Sequence, residues 1–335
     1  MNVLASRGCP YSCTFCSLSF PNVTYRSVDN VIQEIRHLIE HYGVDGVTFA
    51  DELFVIDKKR VYEFCKKLKP LGIVWGAQGR ANIVNDDERL LREMKEAGAA
   101  YIGFGLESST SELLKKMQKK TTVEQNKNCM KAAQKVELRV VAQYMFGFPG
   151  ETLESIREGV EFFKDVKYCP PVGLDGDCHI SLTTALPGSQ LYEDCKKTGL
   201  IGDEDEYLTK ISRGYFYNED VIINLTSFSN EELLDLKYAA QEAMRKNYLE
   251  AMKKEEPLFL LKHRIRHVYD IYYIFGAKAL LSKMARTFLK VMVGLFRGDL
   301  RKVRIWRDLS SFNQTDYIHI YRTPKAVKFR ELLKS

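Results

Sequence analysis

The sequence lacks several features that define specialised classes of protein. It has no apolar run of 18 or more residues, so a helix that spans a membrane is not supported. It has no low-complexity tract and no internal repeat of solenoid length. Met1 leads directly into Asn-Val-Leu-Ala-Ser, which is not the pattern of a secretory signal peptide. We therefore expect a cytoplasmic globular protein, whose 335 residues suffice for one large domain and a smaller one.

Cysteine is present but unevenly distributed. Three of the eight cysteines lie within eight residues, with the spacing C-x3-C-x2-C, and they are Cys9, Cys13 and Cys16. The other five are scattered: Cys65, Cys129, Cys169, Cys178 and Cys195. A cysteine cluster at metal spacing, without a secretory signal, favours metal binding in a reducing compartment over a disulfide framework.

The three clustered cysteines follow an apolar, strand-like run, Asn2 to Ala5, and share one loop. Thiolates are the preferred ligands of iron–sulfur clusters, and a [4Fe–4S] cluster normally takes four. With three local ligands one iron would be left open, and an open position is where chemistry occurs at a metal site. A structural zinc site is an alternative, as are unrelated buried cysteines. No Cys or His follows at zinc-knuckle spacing, so we predict a cluster.

Strands and helices alternate over about the first 200 residues. After the first strand at 2–5, we predict strands at 44–50, 72–77, 100–106, 138–146 and 177–184. We predict helices at 27–42, 58–68, 86–97, 122–135, 151–166 and 189–198, with a short helical turn at 111–117. These six βα units imply a parallel sheet with right-handed crossovers. The sheet is either doubly wound or a barrel short of the usual eight units.

Polar and glycine-rich segments follow the strands. Asp51-Glu52 follows the second strand, Gln78 and Arg80 the third, Glu107-Ser108 the fourth, and Gly147-Phe148-Pro149-Gly150 the fifth. In both architectures the functional groups lie at the carboxyl ends of the strands. We therefore expect these residues to gather at one rim, together with the cysteines.

The motifs resemble those of a known family. The C-x3-C-x2-C spacing with an aromatic residue, Phe15, before the last cysteine resembles the radical S-adenosylmethionine (SAM) signature, and residues 2–200 look like that superfamily's core domain. Within it, the chain resembles the branch of cobalamin-dependent enzymes and methylthiotransferases. The segments that carry this resemblance are Ser6–Tyr11, Tyr25–Ser27, Phe49–Phe54, Gly103–Ser108 and Gly147–Thr152.

The resemblance implies a partial (β/α)6 TIM-like barrel in an α/β fold. Cys9, Cys13 and Cys16 would bind three irons of a [4Fe–4S] cluster, and the amine and carboxylate of SAM would chelate the fourth. An electron from a donor such as ferredoxin or flavodoxin would cleave SAM to methionine and a 5′-deoxyadenosyl radical. The outcome would be hydrogen abstraction or methyl transfer. The cofactor carries the chemistry, and the protein supplies orientation and excludes solvent.

The resemblance also implies roles for individual residues. Phe15 would lie near the adenine, Asp51 and Glu52 at the methionine amine, and Glu107, assisted by Ser108, at the ribose hydroxyls.

Met117-Gln118-Lys119 resembles the family's M-x-K/R segment, so Lys119 would meet the SAM carboxylate, with Lys115, Lys116 and Lys120 as alternatives. Gly147 and Gly150 would let the backbone approach the adenine, and Arg80 would reach the same site. The plainer interpretations are a solvated helix surface for Lys119 and a core aromatic for Phe15.

Two departures from the family pattern concern cobalamin. Only eight residues precede Cys9, so the usual N-terminal cobalamin-binding domain is not in this sequence. The D-x-H-x-x-G signature is absent too, because Asp177-Cys178-His179 is followed by Leu at position 182. The chain is then either an N-terminally incomplete protein or a core-only enzyme. We expect cobalamin only if an upstream domain is missing.

We divide the chain into a core domain, residues 1–200, and a helical C-terminal extension, residues 201–335. In the extension, residues 203–207 read as a surface loop, 213–218 as an aromatic segment that lines a cavity or packs on the barrel, and 230–249 as a helix. Residues 268–296 form an apolar, basic helical stretch. It would cover the open barrel, lie on a membrane surface, or bind an anionic substrate such as RNA, in that order of preference.

The leading function is a radical SAM enzyme, methyltransferase-like, acting on a small molecule or lipid precursor in anaerobic biosynthesis. The rival is modification of tRNA or protein, as in methylthiotransferases, which normally add a strand-rich basic domain. The non-enzymatic alternative is an iron–sulfur redox protein, which would not need the groups on the second, fourth and fifth strands.

Overall fold

The computed structural model describes residues 1–17, 20, 22–168, 180–214 and 221–255. The predictions for the aromatic residues 215–218 and for the apolar, basic stretch 268–296 lie outside these residues. The same is true of Cys169 and Cys178. Membrane or RNA contact through 268–296 therefore stays a prediction.

Strands and helices alternate as the sequence predicts. In chain order the strands are β1 (Asn2–Val3), β2 (Ser6–Arg7), β3 (Thr24–Tyr25), β4 (Gly46–Phe49), β5 (Val74–Gly79), β6 (Ala99–Glu107), β7 (Val140–Phe146) and β8 (Ile180–Leu182). The helices are α1 (Val28–Tyr42), α2 (Lys58–Leu68), α3 (Ala81–Val84), α4 (Glu88–Glu96), α5 (Ser111–Lys116), α6 (Val123–Lys135), α7 (Leu153–Asp165), α8 (Gln190–Lys197), α9 (Glu204–Gly214) and α10 (Asn230–Glu255).

Six strands form one sheet in the order β1-β4-β5-β6-β7-β8, and all neighbours are parallel. Each strand of this sheet thus lies beside the one before it in the chain. A doubly wound sheet reverses its strand order at a switch point, and this sheet does not. The observed order is that of a barrel with six of the usual eight strands, so the predicted partial (β/α)6 fold is confirmed.

Local sequence signals set the helix boundaries. The Ser27 hydroxyl accepts a hydrogen bond from the Asn30 backbone N–H and caps α1, and Gly43, at φ 62°, ends that helix. The buried face of α1 consists of Val28, Val31, Ile32 and Ile35. Such faces cover the sheet, whose strands can therefore be apolar on both sides.

An aromatic cluster fixes β4 and β5 against each other. The rings of Phe49 and Phe54 stack with centroids 4.2 Å apart, and Trp75 meets Phe49 edge-on at 5.8 Å. The indole N–H of Trp75 donates to the Ala97 carbonyl at 2.8 Å. Since Asp51 and Glu52 follow β4 directly, this packing sets where their carboxylates lie.

The segment at 203–207 is not the surface loop that the sequence suggested. It begins α9, and Tyr207 is buried with its hydroxyl donating to the Ala185 carbonyl at 2.9 Å. The Asp203 carboxylate accepts from the Glu206 N–H at 2.8 Å. Acidic residues stabilise the positive end of a helix dipole, so this run of acids is a helix start.

The long helix α10 packs on α7, and its Leu233, Leu236, Ala240 and Met244 join the main hydrophobic core. The helix continues to Glu255, six residues beyond its predicted end. The proposed division at residue 200 stays a prediction. No helix within the described ranges has the length and apolarity needed to cross a membrane.

Candidate active site

The cysteine loop lies between β2 and β3, which the sequence did not predict. These short strands pair antiparallel, with Ser6 opposite Tyr25 and Arg7 opposite Thr24. Two backbone hydrogen bonds join the loop to other elements: Thr14 N–H donates to the Met117 carbonyl at 3.0 Å, and Leu191 N–H donates to the Thr14 carbonyl at 2.8 Å. The loop is thereby fixed between the end of α5 and the start of α8.

Asp51 and Glu52 contact the chain just before the cysteines. One Asp51 oxygen accepts from the Ala5 N–H at 2.8 Å, and the other accepts from the Ser6 hydroxyl. The Glu52 carboxylate accepts from the Gly8 N–H at 3.0 Å. Burial raises the pKa of Asp51, and the bonds from Ser6 and Ala5 oppose that rise. Both acids hold the entry to the loop, and their contact with a methionine amine stays a prediction.

The three cysteines differ in exposure. Cys13 is buried, Cys9 is partly buried and Cys16 is exposed by accessible area. The pKa of the Cys16 thiol is raised, first by desolvation from surrounding protein atoms and then by Cys13 and Cys9. Lys119 and Glu107 also act on this thiol, with opposite signs. The cysteine loop and the end of β6 thus belong to one electrostatic site.

The three thiols of the loop do not converge on one point. Among the described residues, no three His, Cys, Asp or Glu side chains lie close enough together to hold a metal ion. A cavity of about 220 Å³ opens beside the loop, and Cys13 and Cys16 form part of its wall. The loop therefore has the donor types and spacing for a cluster, and ligation by Cys9, Cys13 and Cys16 stays a prediction.

Arg80 is buried under the loop. Its Nη1 lies 3.5 Å from Cys13 Sγ in donor geometry, and its Cζ lies 3.7 Å from the centroid of the Tyr11 ring. Within the described chain, its Nη2 is buried without a hydrogen-bond partner. The sequence pointed to Arg80 but missed Tyr11, whose only signal was an aromatic ring inside the cysteine motif.

Glu107 and Lys119 form a buried ion pair at the end of β6. Lys119 Nζ lies 2.7 Å from Glu107 Oε1, with side-chain exposures of 8% and 9%. Lys119 Nζ also lies 5.8 Å from the centroid of the Phe15 ring. Glu107 has a φ of 60°, a left-handed conformation that non-glycine residues rarely adopt. Strained residues of this kind gather at functional sites.

The four candidate lysines are distinguished by burial. Lys119 is buried, whereas Lys115, Lys116 and Lys120 are exposed. Room for the Lys119–Glu107 pair comes from Gly105, where an added Cβ would lie 2.3 Å from Glu107 Oε1 and 2.7 Å from Lys119 Nζ. The burial of Lys119 beside Glu107 thus favours it over the three exposed lysines as the cation of the site. Its contact with a ligand carboxylate stays a prediction.

The remaining candidates lie at the same rim in different surroundings. The Ser108 hydroxyl is buried and bonds to Thr110, which caps α5. Gly147 and Gly150 have φ values of 82° and 94°, and a Cβ on Gly150 would lie 2.4 Å from Lys116 Nζ. The nearest atoms to a Cβ on Gly147 belong to Leu233 of α10. Approach of these glycines to an adenine stays a prediction.

Sequence reasoning also missed a buried acid. Glu151 is 4% exposed and accepts a hydrogen bond from the Ser155 hydroxyl. Burial raises its pKa to about 7, against the effect of hydrogen bonds from Ser155 and the Gly147 backbone. The sequence shows it only as the residue after Gly150, with no sign of its burial.

Comparison with known proteins gives a consistent answer. Residues 3–163 match the model of the Radical SAM superfamily. The chain is 30% identical to an uncharacterized methyltransferase of Pyrococcus horikoshii over 81% of this chain and 57% of that protein. It is 27% identical to the anaerobic magnesium-protoporphyrin IX monomethyl ester cyclase of Rubrivivax gelatinosus over 79% and 48%. The chain thus spans about half the length of the curated relatives it matches.

A solved structure supports the fold. The cobalamin-dependent S-adenosylmethionine radical enzyme OxsB, with aqua-cobalamin bound, superposes with a TM-score of 0.54 at 16% identity. The match covers 90% of this chain and 50% of OxsB. The sequence match to the core, the strand order and the cysteine loop agree with one another. The chain therefore belongs to the radical SAM superfamily.

Proposed function

We propose that the protein is a radical SAM enzyme whose cluster is held by Cys9, Cys13 and Cys16. The observation that carries this proposal is that the buried Lys119–Glu107 pair adjoins the cysteine loop, with Lys119 Nζ 5.8 Å from the ring of Phe15, the residue before Cys16. A redox protein would need the cysteines alone. The buried cation and anion beside them are what a ligand with a carboxylate and polar hydroxyl or ammonium groups requires.

The donors in this loop fit a [4Fe–4S] cluster. Three thiols at the family's spacing are the ligands such a cluster prefers, and Arg80 Nη2 is a buried donor that needs an acceptor. When bound, the cluster supplies the electron that cleaves SAM to methionine and a 5′-deoxyadenosyl radical. Asp51 and Glu52 hold the loop, and Cys13 is shielded from water.

Other residues bind and orient the second cofactor. Lys119 offers a cation for the SAM carboxylate, and Glu107 offers an acceptor for hydroxyl or ammonium groups. Each now satisfies the other, so binding would exchange one buried partner for another. Phe15 is partly buried beside Lys119 and presents a ring on which a base can stack.

The substrate class rests on the relatives. The Pyrococcus protein is named a methyltransferase, the Rubrivivax protein is a cyclase, and OxsB binds cobalamin. We therefore favour methyl transfer to a small-molecule or lipid precursor, with a one-electron donor such as ferredoxin or flavodoxin as partner. Cobalamin would be used if the protein has a domain upstream of this chain.

The test is anaerobic reconstitution with iron and sulfide, followed by dithionite and SAM. We expect methionine and 5′-deoxyadenosine to form in the absence of substrate. The matched control is a Lys119→Met protein that holds a full, reducible cluster, and we expect much less cleavage from it. A wild-type cluster that is reduced but leaves SAM intact would contradict the enzyme and favour the redox protein.

A further inference from the structure

Arg80 lies beside the cysteine loop in surroundings that the polypeptide does not fully satisfy. It is 5% exposed and stands between β5 and α3. Nη1 points to Cys13 Sγ at 3.5 Å, and Nε donates to Asn82 Oδ1 at 3.2 Å. Nη2 has no partner among the described residues. A buried donor without an acceptor is unfavourable, because it has lost its hydrogen bonds to water and gained none from the protein.

Tyr11 fixes the orientation of the guanidinium. The Cζ of Arg80 lies 3.7 Å from the centroid of the Tyr11 ring, a cation–π contact. Tyr11 stands between Cys9 and Cys13 in the chain. The guanidinium of Arg80 therefore contacts the loop twice, with its face against the Tyr11 ring and with its Nη1 at Cys13 Sγ. No carboxylate forms an ion pair with Arg80 in the part of the chain that the structure describes. Its positive charge is therefore directed at sulfur, and no carboxylate of the described residues is paired with it.

We infer that Arg80 is a positioning residue that raises the reduction potential of the cluster held by Cys9, Cys13 and Cys16. The inference rests on the proposed function, since it requires that cluster. One electron from an external donor makes the cluster more negative by one charge. An N–H donor to a ligating sulfur and a nearby cation both stabilise the more negative state. Arg80 thus makes reduction easier, and Nη2 offers a further donor to an acceptor that arrives with the cluster.

A purely structural role is the competing explanation for a buried arginine. Such a role predicts that substitution lowers the stability of the loop or the amount of bound cluster. It predicts no change in the potential of the clusters that remain. The midpoint potential therefore separates the two explanations, whereas enzyme activity would not.

The experiment compares the wild type with Arg80→Met, Arg80→Lys and a control. The control is Arg89→Met. Arg89 is exposed on α4 and, like Arg80, lies over a tyrosine ring, with its Cζ 5.7 Å from the centroid of the Tyr62 ring. Each protein is reconstituted, assayed for iron and sulfide, and titrated anaerobically with mediators while EPR measures the reduced cluster. For Arg80→Met we expect about tenfold less reduced cluster relative to oxidised at a fixed solution potential, a shift of ~59 mV for one electron. For Arg80→Lys we expect a midpoint potential between those of the wild type and Arg80→Met, because lysine keeps the positive charge but lacks the planar guanidinium group.

A second measurement covers variants that fail to bind a cluster. Wild-type protein labelled with ¹⁵N-arginine is reduced without SAM and studied by pulsed EPR. We expect ¹⁵N coupling to the reduced cluster, and its loss in Arg80→Lys where that variant holds a cluster. An unchanged potential in Arg80→Met, or no coupling in the wild type, would overturn the inference. A wild type that binds no cluster would instead contradict the proposed function.

Discussion

Lys119 Nζ lies 2.7 Å from Glu107 Oε1, and both side chains are more than nine-tenths buried. The pair joins the connection between α5 and α6 to the end of β6, and it lies next to the cysteine loop. Breaking a buried ion pair on one side typically costs about 3–5 kcal/mol, because the remaining charge is left without compensation. The pair is therefore at once a structural element and the charged part of the candidate site.

Replacing Lys119 by Met should lower the free energy of unfolding of the metal-free protein by about 3 kcal/mol. It should also weaken SAM binding to the reconstituted protein, because the cation for the ligand carboxylate is lost. Urea unfolding and equilibrium dialysis measure the two effects. Lys120→Met is the control, since Lys120 is exposed and should change stability by less than about 0.5 kcal/mol. Equal stability of the two variants would mean that the pair is not formed in solution.

Gly105→Ala should disturb the Lys119–Glu107 pair through a steric clash. The new methyl group would lie 2.3 Å from Glu107 Oε1 and 2.7 Å from Lys119 Nζ, so the side chains must move. We expect destabilisation of roughly 1–3 kcal/mol, the usual range for overpacking. At Gly202 an added Cβ meets nothing within 4 Å, so Gly202→Ala is the matched control and should be neutral or slightly stabilising. An unchanged free energy of unfolding in Gly105→Ala would show that the side chains of Glu107 and Lys119 can move aside without cost.

Glu151 should make the free energy of unfolding depend on pH. Burial raises its pKa to about 7, so between pH 4.5 and 7 the folded protein keeps a proton that the unfolded chain releases. The folded state binds more protons in this window, and stability therefore falls as pH rises through it. The full effect is on the order of 3 kcal/mol. Glu151→Gln should remove this loss and be the more stable protein at pH 8.

The measurement is the difference in unfolding free energy between wild type and Glu151→Gln from pH 4.5 to 8. Glu154→Gln serves as the control, because Glu154 is exposed in the first turn of α7 and should leave the wild-type slope in place. A difference that does not vary with pH would mean that Glu151 is ionised throughout, with Ser155 and the Gly147 backbone compensating its burial.

The fold was largely predictable because its signals are local. The periodicity of 28–42 and the cap at Ser27 gave α1 nearly to the residue, and the alternation of elements gave the parallel sheet. The β2–β3 pair was missed because each strand has two residues and no apolar pattern. The start of α9 was missed because a run of acids reads as a solvated loop.

The candidate site was predictable only as a set of residue types. The cysteine spacing and the strand ends predicted which residue types gather at one rim. The pairing of Lys119 with Glu107, and of Arg80 with Cys13, depends on which side chains meet across 12 and 67 residues of chain. The sequence also did not indicate that Asp51 and Glu52 accept hydrogen bonds from the backbone or hydroxyl of residues 5–8. Such contacts follow from tertiary packing and not from spacing.

Ligation of a [4Fe–4S] cluster by Cys9, Cys13 and Cys16 is tested by iron and sulfide analysis of cysteine variants. Cys13→Ala is compared with Cys129→Ala, which removes a buried thiol in α6, far along the chain from the loop. After anaerobic reconstitution, the wild type and Cys129→Ala should contain about four irons and four sulfides per chain. Cys13→Ala should lose the cluster, its absorbance and its SAM cleavage together. A Cys13→Ala protein with full iron content and undiminished 5′-deoxyadenosine formation would show that Cys13 is not a cluster ligand.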